Sequence, residues 1–216
     1  MTELLVKAVL SYLLGSIVGS LLVGRLRGVD IRRLGSGNAG ATNALRTQSK
    51  LFALCVLVID IGKGWIATGF LAEARIPGVA PAPMHMSVWA VAACGVAVML
   101  GHIYPLWHGF RGGKGVATLV GAVLGASPVL LVPMLVIWLL AVILFGFIGL
   151  ASILGAVTFA VAAGVNGIPR MPMLVFAVLS ALLIVFTHRA NVARMLAGTE
   201  PRARRLWLLG AARSRS

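Results

Sequence analysis

The chain consists of apolar runs long enough to cross a lipid bilayer, interrupted by only three polar segments. The clearest runs lie at 4–24, 51–72, 86–105 and 171–187, and about 20 apolar residues suffice for one transmembrane helix. Hydrophobic residues make up 60% of the 216 positions and charged residues 11%, far from a soluble composition. We therefore predict an all-α polytopic membrane protein forming one domain, 1–216.

The basic residues predict how the chain is oriented. Arg and Lys crowd into the connection 25–50 and into the tail after 188, and such regions stay on the cytoplasmic side. The net charge of +14 thus marks one membrane face, and no nucleic acid partner is expected. The N-terminus is predicted to be periplasmic and the C-terminus cytoplasmic.

This orientation requires an odd number of crossings between Lys114 and the turn at 166–170. One crossing cannot contain some fifty apolar residues, so we predict three, which gives about seven spans in all. Each would be about 25 Å long, with breaks near 127–128 and 146–149 and a thinned or partly re-entrant helix among them. All three polar segments then lie on the cytoplasmic side and can converge on one site.

The first polar segment, GSGNAGATNALR at 35–46, has the composition of a phosphate-binding loop. Glycines can take positive φ and turn their amides toward an anion, and the Arg46 guanidinium suits phosphate. The alternative is a flexible, solvated loop. The candidate residues are Ser36, Gly37, Asn38, Gly40, Thr42, Asn43 and Arg46.

The second polar segment, HGFRGGKGVAT at 108–118, is a glycine-rich turn that leads into a predicted helix N-terminus, where free amides favour an anion. It resembles a nucleotide P-loop only in part, because no Ser or Thr follows Lys114 directly, so ATP binding is disfavoured. The alternative is a simple cytoplasmic turn. The candidate residues are Gly112, Gly113, Lys114 and Gly115.

The third polar segment, THRANVARMLAGTEPR at 187–202, places His188 and Asn191 at the spacing of one helix face. A histidine at a membrane edge can also be a simple interfacial anchor. Glu200 is expected to form a structural ion pair with Arg194, Arg202 or a neighbour.

Three ionisable residues lie within apolar runs. Asp60 and Lys63 are three positions apart, which predicts a buried ion pair that fixes the helix, with substrate contact as the second interpretation. His102 is either a base or, preferably, a buried hydrogen-bonding histidine. The sequence shows no metal-ligand spacing and no nucleophile elbow, so neither a metal, a cofactor nor a covalent intermediate is expected.

The three polar segments, together with GHIYP at 101–105 and DIGKG at 60–64, resemble the bacterial acyl-phosphate:glycerol-3-phosphate acyltransferases, the PlsY family. The resemblance covers essentially the whole chain. It implies a seven-helix inner-membrane enzyme with a cytoplasmic active site, acting in phospholipid biosynthesis. The implied reaction transfers an acyl group from acyl phosphate to the 1-hydroxyl of glycerol 3-phosphate.

Carried over by motif, the resemblance implies that Ser36, Arg46, Lys114, His188 and Asn191 bind the polar parts of the substrates, with Ser36, His188 and Asn191 nearest the chemistry. The expected partners are both substrates, membrane lipid and the enzyme that produces acyl phosphate. The alternative is a membrane carrier for an anionic metabolite, which would place its polar residues near the midplane. A noncatalytic scaffold would leave this set of residues unexplained.

Overall fold

The computed structural model describes residues 2–165, 170–203 and 206–207, and every regular element in these ranges is helical. This confirms the all-α prediction. Residues 166–169 of the turn predicted at 166–170, and the tail arginines at 204, 205, 213 and 215, lie outside the described residues. The chain divides into two compact units, Met1–Pro128 and Val129–Ser216, and each is described by itself.

The first unit contains seven α-helices among its described residues: α1 Thr2–Gly15, α2 Gly19–Leu26, α3 Ala41–Thr47, α4 Lys50–Trp65, α5 Met84–Ser87, α6 Ala90–Ile103 and α7 Val116–Ala126. α4 continues as the π-helical turn Ile66–Leu71, and short 3₁₀ turns occupy Ile31–Arg33 and Leu106–His108. In the described part of the second unit, α8 Pro128–Phe145, which begins at the last residue of the first unit, is followed by α9 Ile148–Val165, α10 Arg170–Thr187 and α11 Arg189–Leu196.

Several of these helices are long and apolar enough to span a membrane. Within the described residues four stretches qualify, and up to six do so if α1–α2 and α10–α11, bent by 44° and 52°, each count as one span. α7 has only 11 residues, about 16 Å at 1.5 Å per residue, as expected for a short or re-entrant helix. Seven crossings and the orientation of the termini remain predictions.

The helices between Gly115 and Val165 end where breaks were predicted. α7 stops before Ser127, whose successor is Pro128, and α8 stops before Gly146 at φ +75°. Proline disfavours helical backbone in the residue before it, and glycine accepts the left-handed conformation that ends a helix. Local chain chemistry therefore determines these boundaries.

The first span differs from the continuous run predicted at 4–24. α1 ends at Gly15 and α2 starts at Gly19, so the helix is broken inside the apolar run. Helix packing contributes to this break, because a Cβ on Gly15 would meet the Val98 carbonyl of α6, and one on Gly19 would lie 2.8 Å from the Val56 carbonyl of α4. Apolar composition alone does not reveal such contacts.

Close backbone contacts hold the first unit together. A Cβ on Gly101 of α6 would meet the Tyr12 carbonyl of α1, and α4 and α7 show the same relation at Gly64 and Gly121. Small residues let membrane helices approach until their backbones touch, which gains van der Waals contact where lipid supplies no hydrophobic driving force. In the second unit, α9 and α10 pack through Phe159 and Phe176, whose rings meet edge-to-face at 5.4 Å.

Candidate functional site

The first polar segment is a tight loop seated on a buried apolar cluster that includes Val18, Ile31, Ala39 and Phe52. Gly35 and Gly37 adopt φ of +56° and +71°, as predicted for a turn that only glycine accepts easily. Gly40 is different, because its φ of −134° is extended and it precedes α3 as the helix N-cap.

Asn43 organises this loop from within. Its Nδ2 lies within hydrogen-bonding distance of three backbone carbonyls, of Ile31, Leu34 and Asn38, at 3.0–3.2 Å, and its Oδ1 accepts the Ser36 N–H at 3.0 Å. Asn43 is 1% exposed. Both N–H groups of the Asn43 amide are thus directed at backbone oxygens, which makes Asn43 a residue that shapes the loop.

The other candidates of the first polar segment differ in exposure. Ser36, Gly37 and Arg46 are exposed, whereas Asn38 and Thr42 are partly buried. Ser36 and Arg46 are thus the residues of this segment best placed to contact a solvent-borne substrate.

The second polar segment turns back on the end of α6. The amides of Gly112 and Gly113 donate to the carbonyls of Ile103 and His102, both at 3.1 Å. These two amides satisfy carbonyls that the end of a helix leaves unpaired, and the prediction that Gly112 and Gly113 bind phosphate stays a prediction. Lys114 is partly buried and stands directly before Gly115, at φ +88°, the N-cap of α7.

Arg32, in the 3₁₀ turn just before the first polar segment, binds the second polar segment. Its guanidinium Nη1 donates to the carbonyls of His108 and Arg111, both at 3.1 Å. Arg32 Nη2 also donates to Asp30 Oδ2 at 2.9 Å. The hydrogen bond from Arg32 lowers the pKa of Asp30. A Cβ on Gly113 would lie 2.8 Å from the Ala39 carbonyl. The two segments are therefore in contact, as the prediction of convergence requires for this pair.

Asp60, Lys63 and His102 form a buried cluster beneath these segments. Lys63 Nζ lies 3.0 Å from Asp60 Oδ1 and 2.9 Å from His102 Nδ1. All three residues are at most 3% exposed. The predicted ion pair and the predicted buried histidine are both confirmed.

The third polar segment lies in the second unit. His188 stands at the bend between α10 and α11 as the N-cap of α11, so it does not share one continuous helix with Asn191 as its spacing predicted. Its Nδ1 lies 2.8 Å from the Ile184 carbonyl. Because a carbonyl only accepts, Nδ1 carries a proton.

Glu200 joins two residues of the third polar segment. Its Oε2 accepts from Arg194 Nε at 2.7 Å, which confirms the predicted ion pair, and its Oε1 accepts from Asn191 Nδ2 at 2.6 Å. Gly149 of α9 packs against the other side of Asn191, because a Cβ there would lie 3.0 Å from the Asn191 Cβ. Glu200 and Gly149 thus fix the amide of Asn191.

Sequence reasoning missed some residues that shape this site. Arg32 was assigned to the general positive flank, and only the fold shows that it binds two carbonyls of the second polar segment. The bond from Asn191 to Glu200 was missed as well. A search for side-chain pairs could have suggested the bond from Asn191 to Glu200, since both residues belong to one polar segment. It could not have suggested the contacts of Arg32, which are made to backbone carbonyls.

Comparison with known proteins identifies the family. The family model described as glycerol-3-phosphate acyltransferase matches residues 5–198. Proteins named glycerol-3-phosphate acyltransferase from Bordetella pertussis and Mesorhizobium japonicum are 42% and 41% identical, covering 90% and 91% of this chain and 89% and 94% of their own.

Solved structures agree. The crystal structure of PlsY, an integral membrane glycerol 3-phosphate acyltransferase, in its glycerol 3-phosphate form has a TM-score of 0.80 at 34% identity and covers 92% of this chain and 94% of its own. The crystal structure of its lysophosphatidic acid form has a TM-score of 0.78 at 33% identity and also covers 92% of this chain and 94% of its own. The chain therefore belongs to the PlsY family of integral membrane glycerol-3-phosphate acyltransferases, an enzyme class of phospholipid biosynthesis.

Proposed function

We propose that the protein transfers a fatty acyl group from acyl phosphate to the 1-hydroxyl of glycerol 3-phosphate, giving lysophosphatidate and phosphate at the cytoplasmic face of a bacterial inner membrane. The observation that carries the proposal is the contact between the first two polar segments, made by Gly113 against Ala39. Arg32, just before the first segment, adds two hydrogen bonds to the second. This contact brings together two segments that each carry a basic residue suited to phosphate, Arg46 and Lys114.

The reaction is simple to balance. The glycerol hydroxyl oxygen attacks the acyl carbonyl carbon, a new ester C–O bond forms, and the C–O bond to phosphate breaks. The hydroxyl proton leaves with the released phosphate, so a phosphate group assists its removal. Because acyl phosphate is a mixed anhydride with a good leaving group, one direct attack suffices, and the protein contributes positioning and charge stabilisation.

The residue roles follow from charge and exposure. Arg46 and Lys114 bind phosphate groups as cations, and exposed Ser36 adds a hydroxyl donor. Asn43 holds Ser36 in the loop through the N–H of Ser36. The remaining loop candidates, Gly37, Asn38, Gly40, Thr42, Gly112 and Gly115, shape the pocket.

In the third polar segment we assign His188 and Asn191 to substrate binding and catalysis, with Glu200 as a positioning residue. The 2.6 Å bond from Asn191 to Glu200 supports this assignment, because it fixes which way the Asn191 amide faces.

The donor is tested by giving the purified protein palmitoyl phosphate or palmitoyl-CoA in matched reactions with glycerol 3-phosphate. We expect lysophosphatidate only from palmitoyl phosphate, and Lys114→Ala should abolish most of it. Equal product from palmitoyl-CoA would contradict the assignment of the donor. An association with the enzyme that produces acyl phosphate is also expected and would appear as co-purification of the two proteins.

A further inference from the structure

The break in the first membrane helix creates an electrostatic problem. α1 ends at Gly15 and α2 begins at Gly19, and both ends are buried inside the first unit. A helix end leaves carbonyls at its C-terminus and N–H groups at its N-terminus without intrahelical partners, and in a bilayer no water replaces them. Another part of the protein must satisfy them.

One ion pair on α4 caps both ends. Lys63 Nζ donates to the carbonyls of Gly15 and Ile17 at 2.8 and 2.9 Å, and Asp60 Oδ1 accepts the Gly19 N–H at 3.1 Å. The cation thus lies at the negative end of α1 and the carboxylate at the positive end of α2. Both signs match the helix dipoles.

His102 connects this ion pair to the second polar segment. His102 Nδ1 lies 2.9 Å from Lys63 Nζ and 3.4 Å from Asp60 Oδ1, so the imidazole contacts both members of the ion pair. On the other side of the ring, a Cβ at Gly113 would meet His102 Nε2. The imidazole therefore lies between the ion pair and the glycine turn that precedes Lys114.

Stability alone does not account for this cluster. Among the residues that the structure describes, Asp60 Oδ2 has no hydrogen-bond partner, although it is buried. Buried ion pairs are often no more stabilising than apolar side chains of the same volume, and an unsatisfied oxygen adds to their cost. The cluster is better explained by the backbone geometry that it imposes.

We propose that Asp60, Lys63 and His102 are positioning residues that hold the second polar segment in its substrate-binding geometry by fixing the break at 16–18 and supporting Gly113. The proposal rests on the proposed function only in that Lys114 binds a substrate phosphate. None of the three residues needs to touch substrate.

The test compares Lys63→Met with Lys7→Met. Lys7 is a matched control, because it also forms a buried ion pair, with Glu3 at 3.1 Å, and donates to a backbone carbonyl, that of Ala72. Its partners, Glu3 and Ala72, belong to neither of the first two polar segments. We expect Lys63→Met to raise the KM for glycerol 3-phosphate at least tenfold and Lys7→Met to leave it within twofold.

The KM separates positioning from folding. A variant that only lowers the amount of folded protein reduces the apparent kcat and leaves KM unchanged, and that result for Lys63→Met would overturn the proposal. Should Lys63→Met fail to fold, His102→Ala decides, because it keeps both members of the ion pair and removes the imidazole that links them to Gly113. We expect a tenfold higher KM, and a value within twofold of the wild type would overturn the proposal.

A second measurement is independent of catalysis. Spin labels at Arg33→Cys, two residues before the first polar segment, and at Arg111→Cys in the second, both exposed positions, report the distance between these two parts of the chain in a background lacking Cys55 and Cys94. The distribution should shift or broaden in Lys63→Met and stay unchanged in Lys7→Met. If the distance distribution of Lys63→Met were the same as that of Lys7→Met, the proposal would be overturned. A wild-type protein that showed no acyl transfer would instead contradict the proposed function.

Discussion

Asn43 Oδ1 accepts the backbone N–H of Ser36 at 3.0 Å, across seven positions of the chain. This bond ties the serine of the first polar segment to the first turns of α3. Because the Asn43 amide also bonds backbone carbonyls, one side chain determines the shape of the whole loop. Ser36 is therefore presented by a fixed turn.

The first prediction follows from this bond. Asn43→Leu keeps the volume and removes the acceptor of the Ser36 N–H and the donor to the Asn38 carbonyl. An unsatisfied buried group costs about 1–3 kcal/mol, so activity should fall about tenfold and the melting temperature should drop. Thr47→Val is the control, because the Thr47 hydroxyl bonds only the Asn43 carbonyl of its own helix. Equal effects of the two variants would contradict the role of Asn43.

The second prediction concerns Arg46 and Lys114, the proposed phosphate-binding cations of the first two polar segments. Arg46→Ala and Lys114→Ala should each lower kcat/KM about 10- to 100-fold, because a charge-assisted hydrogen bond contributes about 1.5–3 kcal/mol. Both variants should remain folded in detergent. Lys50→Ala, which removes another exposed cation near Arg46, should be nearly silent. Near-normal kinetics in both test variants would remove the phosphate-binding interpretation.

Much of this arrangement could be predicted from the sequence because it depends on local rules. Helical spacing predicted the pairing of Asp60 with Lys63, and charge predicted that of Glu200 with Arg194. The helix boundary before Pro128 follows from local backbone chemistry. Such features need only neighbouring residues, so they leave a recognisable pattern.

The remaining features depend on backbone partners that leave no such pattern. Arg32 bonds carbonyls 76 and 79 positions away, and any residue type offers a carbonyl. The break before Gly19 likewise depends on Asp60 and Lys63 of another helix. Only the packed fold brings these groups together.

The third prediction concerns pH. The hydrogen bond from Arg32 lowers the folded-state pKa of Asp30, so the pair stabilises the fold above the ordinary carboxyl pKa, and this contribution is lost as the pH falls through the lowered value. Asp30→Asn should lower the melting temperature near neutral pH, and the difference from the wild type should vanish in acid. Glu73→Gln, at an exposed position, is the control. A pH-independent difference would contradict the ion pair.

The fourth prediction tests the orientation in the membrane. In a background without Cys55 and Cys94, single cysteines at 80 and 168 should react with an impermeant thiol reagent in intact spheroplasts. A cysteine at 210 should react only after the membrane is opened, because basic segments stay in the cytoplasm. Labelling of position 210 from outside would contradict the predicted seven crossings.

The most direct test of the account is whether acyl transfer is direct. The purified protein is mixed with labelled palmitoyl phosphate alone, quenched and examined by mass spectrometry, and the reaction is then repeated with glycerol 3-phosphate. We predict no acyl group on the protein, and labelled lysophosphatidate only when glycerol 3-phosphate is present, since the donor already carries its leaving group and Ser36 acts as a hydrogen-bond donor. Stoichiometric acyl-Ser36 that passes its acyl group to glycerol 3-phosphate at the rate of turnover would contradict the account.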